Sequence, residues 1–63
     1  MAKVHAQVLG GEIVELDCDT VEEVKLELGV EGHTASVNGE PADDDFELED
    51  FEFVSLSPAV KGG

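Results

Sequence analysis

Between Lys3 and Leu16 the hydrophobic pattern has a period of two and is interrupted once, at Gly10-Gly11. Val4, Ala6 and Val8 alternate with Lys3, His5 and Gln7. After the glycine pair the stretch from Glu12 to Leu16 resumes, with Val14 and Leu16 on one face. A period of two sends alternate side chains to opposite faces of an extended chain. Glycine tolerates the positive φ that a tight hairpin turn requires. The spacing therefore predicts a β-hairpin with one apolar and one polar face. A lone hairpin is marginal in water, so the rest of the chain has to supply further strands and a cover for the apolar face.

One segment has a helical period. Thr20-Val21-Glu22-Glu23 has capping-box spacing, and Val21, Val24 and Leu28 share one stripe, which predicts a helix over residues 20–28 closed by Gly29. Lys25 lies at the edge of that stripe, where its stem can snorkel, and Leu26 points away from it as a lone exposed leucine or a contact point. Beyond a loop at Glu31-Gly32-His33, Thr34 to Val37 reads as a third strand, with Ala35 and Val37 on one face. Asn38-Gly39 is a strong tight-turn pair leading to a brief strand at Glu40 to Ala42. Asp43-Asp44-Asp45 opens an acidic loop or single helical turn anchored by Phe46 and Leu48, and Phe51 to Ser57 forms the last strand, ended by Pro58. One amphipathic helix covers one face of such a sheet, so the expected fold is a two-layer α+β domain.

Composition narrows the function classes. Asp and Glu number 16 against 3 lysines and no arginine, for a net charge of −13 over 63 residues. Nucleic acid and anionic membranes are poor partners for such a surface, because both demand clustered Lys/Arg. Two readings of the acidity compete: a surface built for a basic partner, or adaptation to a salt-rich cytosol in which self-repulsion is screened. The acids are spread through nearly every segment, which favours salt adaptation. Cys18 is the single cysteine, so neither a disulfide framework nor an iron–sulfur cluster is possible, and a reducing, cytoplasmic setting fits best. No apolar run approaches the roughly 20 residues of a membrane span.

Nothing in the sequence points to a catalyst, cofactor or metal. His5 and His33 lack triad companions, Cys18 between strand and helix reads as a small semi-buried residue, and Asp43-Asp44-Asp45 lacks EF-hand spacing. If Val54 and Leu56 of the last strand face the helix, Phe51, Phe53 and Ser55 face the other side of the sheet; the opposite phase would put both phenylalanines inside. The exposed phase is favoured, and it makes Phe53 a docking anchor.

The chain closes on Pro58-Ala59-Val60-Lys61-Gly62-Gly63. A glycine pair carries no Cβ and can slide through a channel too narrow for side chains. Chance and a short vector-derived glycine tail are the competing explanations. Taken with the strand order, with Ser36-Val37-Asn38-Gly39-Glu40-Pro41, with the acidic loop and with Leu48-Glu49-Asp50, this ending resembles the ubiquitin-like β-grasp proteins. Within them the likeness is to the prokaryotic sulfur carriers of molybdopterin and thiamine synthesis and to the small archaeal modifier proteins. The family often has a DGDE-like turn before the last strand, where this chain has Asp50-Phe51-Glu52-Phe53.

The resemblance implies an α+β, ubiquitin-like β-grasp domain over residues 1–58, a mixed four- to five-stranded sheet with one helix packed on one face, and a flexible tail over 59–63. It implies that Gly63 is the attachment residue, adenylated by an ATP-dependent activating enzyme, and that Gly62 is needed for tail recognition. The product is then an isopeptide bond to lysines of target proteins. Alternatively it is a thiocarboxylate, with a sulfurtransferase or synthase subunit as partner, serving molybdopterin, thiamine or tRNA thiolation. The implied protein is a monomeric carrier rather than an enzyme. In that fold the last strand is central, so Phe53 would neighbour His5, Gln7, Thr34 and Ser36, giving a partner surface of Phe51, Phe53 and His5. A non-covalent binding module of the same fold is the remaining reading.

Overall fold

In a computed structural model that describes residues 2–58, the chain forms β1 (Ala2–Val8), β2 (Ile13–Cys18), α1 (Val21–Leu28), β3 (His33–Val37), β4 (Glu40–Ala42) and β5 (Phe53–Pro58). Met1 and residues 59–63, including Gly62 and Gly63, lie outside the described residues. The strands make one mixed sheet in the order β2-β1-β5-β3-β4. β5 is central, parallel to β1 and antiparallel to β3. The domain is therefore α+β, with a five-stranded sheet and one helix among the described residues. No helix is long and apolar enough to cross a membrane.

The alternation in β1 works as the sequence requires: Val4 and Ala6 are fully buried under the helix, while Lys3 and His5 face away from the core. In α1, Val21 and Val24 are fully buried and Leu28 packs at the margin. Leu56, Val54, Ala35 and Cys18 complete the centre. Most of this core is valine and alanine, and Phe46, Phe51 and Phe53 all lie outside it, so the apolar layer is thin.

The helix ends are closed by backbone and by side chains. The Thr20 hydroxyl accepts from the Glu23 N–H at 3.4 Å, and Glu23 reaches back to the N–H of Asp19, one residue before the cap, at 2.5 Å. The next donors are satisfied from far along the chain. The N–H of Val21 donates to the carbonyl of Phe46 and that of Glu22 to the carbonyl of Asp44. Unpaired N–H groups of a first helical turn need such acceptors. Gly29, at φ 71, ends the helix in the left-handed conformation, and the N–H of Val30 donates to the Lys25 carbonyl.

Three expectations need correction. Lys25 does not snorkel from the stripe's edge: it is buried, and its ammonium pairs with the Asp44 carboxylate at 2.5 Å. Of the two readings of Asp43 to Asp45 the loop is the one formed, and of its two expected anchors only Leu48 is a buried side chain. Phe46 stays 39% exposed, holding the loop through its backbone instead. Finally, the last strand begins at Phe53, two residues later than Phe51.

Candidate docking surface

The face of the sheet opposite α1 is uncovered among the described residues, and pairing register arranges its side chains in rows. His5 of β1 is the partner of Glu15 on one side and of Phe53 on the other. Gln7 lies between Ile13 and Ser55, and Ser55 in turn pairs with Ser36 of β3. Thr34 pairs with Ser57. Neighbouring strands are about 4.8 Å apart, so Phe53 sits within side-chain reach of His5. The His5 Nε2 lies 3.6 Å from the Glu15 carboxylate, with both side chains about half exposed.

The phase of β5 is the favoured one. Val54 and Leu56 are buried at 0% and 1% exposure, which leaves Phe53, Ser55 and Ser57 on the uncovered face. Phe53 is half-buried rather than fully exposed. Its backbone is clamped by the β3–β4 turn: the Asn38 N–H donates to its carbonyl at 2.8 Å, and the Asn38 side-chain oxygen accepts from its N–H at 3.1 Å. Asn38 manages both from a left-handed φ of 52, and Gly39 follows at φ 88. Two successive positive φ values are the signature of the tight turn that Asn-Gly favours.

Phe51 does not share the strand with Phe53. It occupies the turn before β5 at φ 69, with its side chain 78% exposed. A bulky residue with positive φ is uncommon, because its Cβ crowds the neighbouring carbonyl. Long-range contacts hold it there. Its N–H donates to the Lys3 carbonyl at 2.7 Å, while the N–H of Lys3 donates to the Asp50 carboxylate at 3.0 Å. Glu52 braces the turn, accepting from the Glu49 N–H at 2.7 Å with one oxygen and from the Asn38 amide at 3.3 Å with the other. The turn thus reaches without glycine the conformation that glycine adopts freely.

The sequence reading therefore brought His5 and Phe53 together correctly and misassigned the setting of Phe51. It missed Asn38, Glu52 and Lys3 as the groups that fix both phenylalanines. The Asn-Gly pair was a visible signal for a turn, but nothing local tells that its side chain reaches β5.

Other polar concentrations do not assemble into chemistry. A wide, open groove of about 600 Å³ is lined by Lys25, His33, Thr34, Ala35, Ala42 and Asp43 to Asp45. Its one buried charge, Lys25, is already engaged by Asp44. Among the described residues no three His, Cys, Asp or Glu side chains converge as metal ligands. Cys18 is buried, and its thiol pKa is pushed up by that burial and then by the carboxylates of Glu23, Glu27, Asp17 and Asp19. A thiol held in its neutral form is a poor nucleophile. The sequence matches no protein-family model and no curated protein.

Proposed function

We propose that this chain is a ubiquitin-like β-grasp protein of the small archaeal modifier and sulfur-carrier type. In this reading it is a covalent modifier whose C-terminal carboxylate, on Gly63, is activated and transferred to lysines of other proteins. The observation that carries the proposal is the central position of β5. A last strand lying between the first and third, under a single helix, is the arrangement expected of that fold. The run from β5 through Pro58 continues into Ala59-Val60-Lys61-Gly62-Gly63.

The chemistry follows from the tail. A carboxylate is a poor acyl donor, since its leaving group would be oxide. Attack of a Gly63 carboxylate oxygen on the α-phosphate of ATP releases pyrophosphate and leaves an acyl-adenylate. AMP is then the leaving group, displaced by a sulfur nucleophile or, through an activated acyl intermediate, by a lysine amine. The activating enzyme supplies ATP and metal, and this protein supplies the acyl group. The uncovered face, with Phe53 beside His5 and Phe51 at its rim, is the docking surface for that enzyme. An aromatic anchor framed by polar side chains suits such a role.

The test is intact mass spectrometry of the protein recovered from its own cells, together with a search for Gly-Gly remnants on lysines of other proteins. Remnants matching this tail support the modifier reading. Free protein with one terminal oxygen replaced by sulfur, and no remnants, would transfer the proposal to the sulfur-carrier branch. A chain lacking Gly62 and Gly63 should yield neither product while keeping its fold. Conjugation by that shortened chain would overturn the proposal.

A further inference from the structure

Phe51 stands at φ 69 with its ring 78% exposed, so the residue carries left-handed strain while its side chain adds little to the core. Such a conformation persists only where the surroundings over-determine it, and those places gather at ligand contacts. Here the surroundings are backbone and polar groups. The Phe51 N–H is held by the Lys3 carbonyl, the Lys3 N–H by the Asp50 carboxylate, and the Glu52 carboxylate by the Glu49 N–H and the Asn38 amide. The phenyl group is therefore presented on a turn already braced, and a partner that stacks on it has little backbone to order.

Three acids flank the ring in the chain: Glu49, Asp50 and Glu52. Asp50 and Glu52 accept only from neutral donors among the described residues, which leaves their charge uncompensated, and the Glu49 carboxylate meets no donor there. Of the described lysines, Lys25 is engaged by Asp44, and Lys3 adjoins the turn. The ring keeps its exposure with the Lys3 side chain in place, so it is open to a second cation. Along the rest of β5 the register sets Ser55 beside Ser36 and Ser57 beside Thr34, so hydroxyls replace aromatic groups toward Pro58. At ~3.4 Å per residue, Pro58 lies about 17 Å along the strand from Phe53.

We propose that the Phe51 turn is a seat for an arginine side chain of a partner protein. The guanidinium lies flat on the phenyl ring, whose face attracts a cation, and turns its N–H edge toward Glu49. Arginine suits the seat better than lysine, because a planar and weakly hydrated group can stack and still donate to a carboxylate. Charge selects the occupant. A net charge of −13 repels acidic and phosphate-bearing ligands, and a second copy of this chain has no arginine to offer. The bearer of the arginine rests on the function proposed above: there it is the activating enzyme, which grips this end of β5 while it holds the tail. The seat itself requires no tail chemistry.

The probe is the capped peptide Gly-Leu-Arg-Leu-Gly, titrated into the isotopically labelled protein at the lowest KCl concentration that maintains the native fold. Amide shifts should concentrate in residues 49–53, and the arginine δ-protons should move upfield under the ring current of a stacked phenyl group. Citrulline in place of the arginine keeps the planar shape without the charge and should weaken binding at least fivefold. Phe51→Leu, which keeps apolar bulk at an exposed position, should weaken it to a similar degree, whereas Phe51→Tyr should bind as the parent does. Glu49→Gln should weaken it several-fold. The chain lacking Gly62 and Gly63 should give the parent's affinity even if the search for conjugates finds none, so the two readings fail separately. Shifts spread equally over Asp43 to Asp45, equal affinity for the citrulline peptide, or undiminished binding by Phe51→Leu would each overturn the proposal.

Discussion

Replacing Phe51 separates what a residue costs the fold from what it does at the surface. At φ 69 an L-residue bears about 1–2 kcal/mol of steric strain that glycine escapes. Glycine in turn has the freer unfolded chain, which costs about 0.4–1 kcal/mol. The phenyl group is 78% exposed, so truncation forfeits only about a fifth of the roughly 1.5–3 kcal/mol of full burial, or about 0.5 kcal/mol. The terms nearly cancel, and Phe51→Gly should stay within about 1 kcal/mol of the parent. Phe51→Ala retains the strain and loses the same contact. Glycine should therefore be the more stable variant by about 0.5–1 kcal/mol, the reverse of the order inside a strand or helix. For a domain of this size each kcal/mol is about 4–8 °C in melting temperature. Far-UV circular dichroism reads it, because the chain has no Trp or Tyr. Under the proposed function, both variants should lose affinity for the activating enzyme to a similar degree. Alanine outranking glycine, or a loss near the ~3–5 kcal/mol of a core phenylalanine, would refute the reasoning.

Three further outcomes follow from the same structure. Leu56→Ala, at 1% exposure, should cost about 2–5 kcal/mol, whereas Phe53→Ala should cost less than half of the ~3–5 kcal/mol of a buried phenylalanine and weaken docking more than folding; equal losses in urea titrations would contradict the surface assignment. Raising KCl from about 0.1 M to about 1 M shortens the Debye length from ~10 Å to ~3 Å. With 16 acids against 3 lysines the melting temperature should rise, and a flat or falling series would return the acidity to a partner-binding role. The Cys18 thiol has its folded-state pKa raised above 9.0, so the folded state holds that proton more tightly than the unfolded one. Its contribution is whole below pH 9.0 and fades as pH climbs through the folded-state pKa. Urea midpoints of the parent should accordingly fall faster above pH 9.0 than those of Cys18→Ala, and parallel curves would contradict this.

What the sequence disclosed and what it withheld divide along the range of the interactions. Val4-Ala6-Val8, the Thr20 cap, Gly29 and Asn38-Gly39 are local signals, and each produced the element its spacing requires. Phe51 misled because Phe51 and Phe53 continue a period of two with Ser55. The chain instead breaks after Phe51, under a backbone bond to Lys3 on another strand. Lys25 misled similarly: a helical wheel puts it at the edge of the stripe, and Asp44, 19 residues away, decides that its ammonium can be buried. Phe46 is the commonest kind of miss, a large apolar side chain assumed to be inside. Among the residues of the Phe53–His5 row, phase alone was legible, and the neighbour relation came through the family resemblance.

The central position of β5 also governs the order of events during synthesis. Residues up to Glu52 contain the β1–β2 and β3–β4 pairs, but those two pairs share no ladder until β5 is inserted between them. Each two-stranded piece is marginal by itself, and an eight-residue helix adds little independent stability. Nothing upstream can therefore fold ahead of the last strand, and the nascent chain remains open until Leu56 and Ser57 are free to pair. Assembly is then dominated by distant contacts, which makes it slower than that of a helical bundle of equal length. In a cell, chaperones and proteases meet the segments before β5 as unfolded chain, and the sheet closes in a single event once the central strand is available.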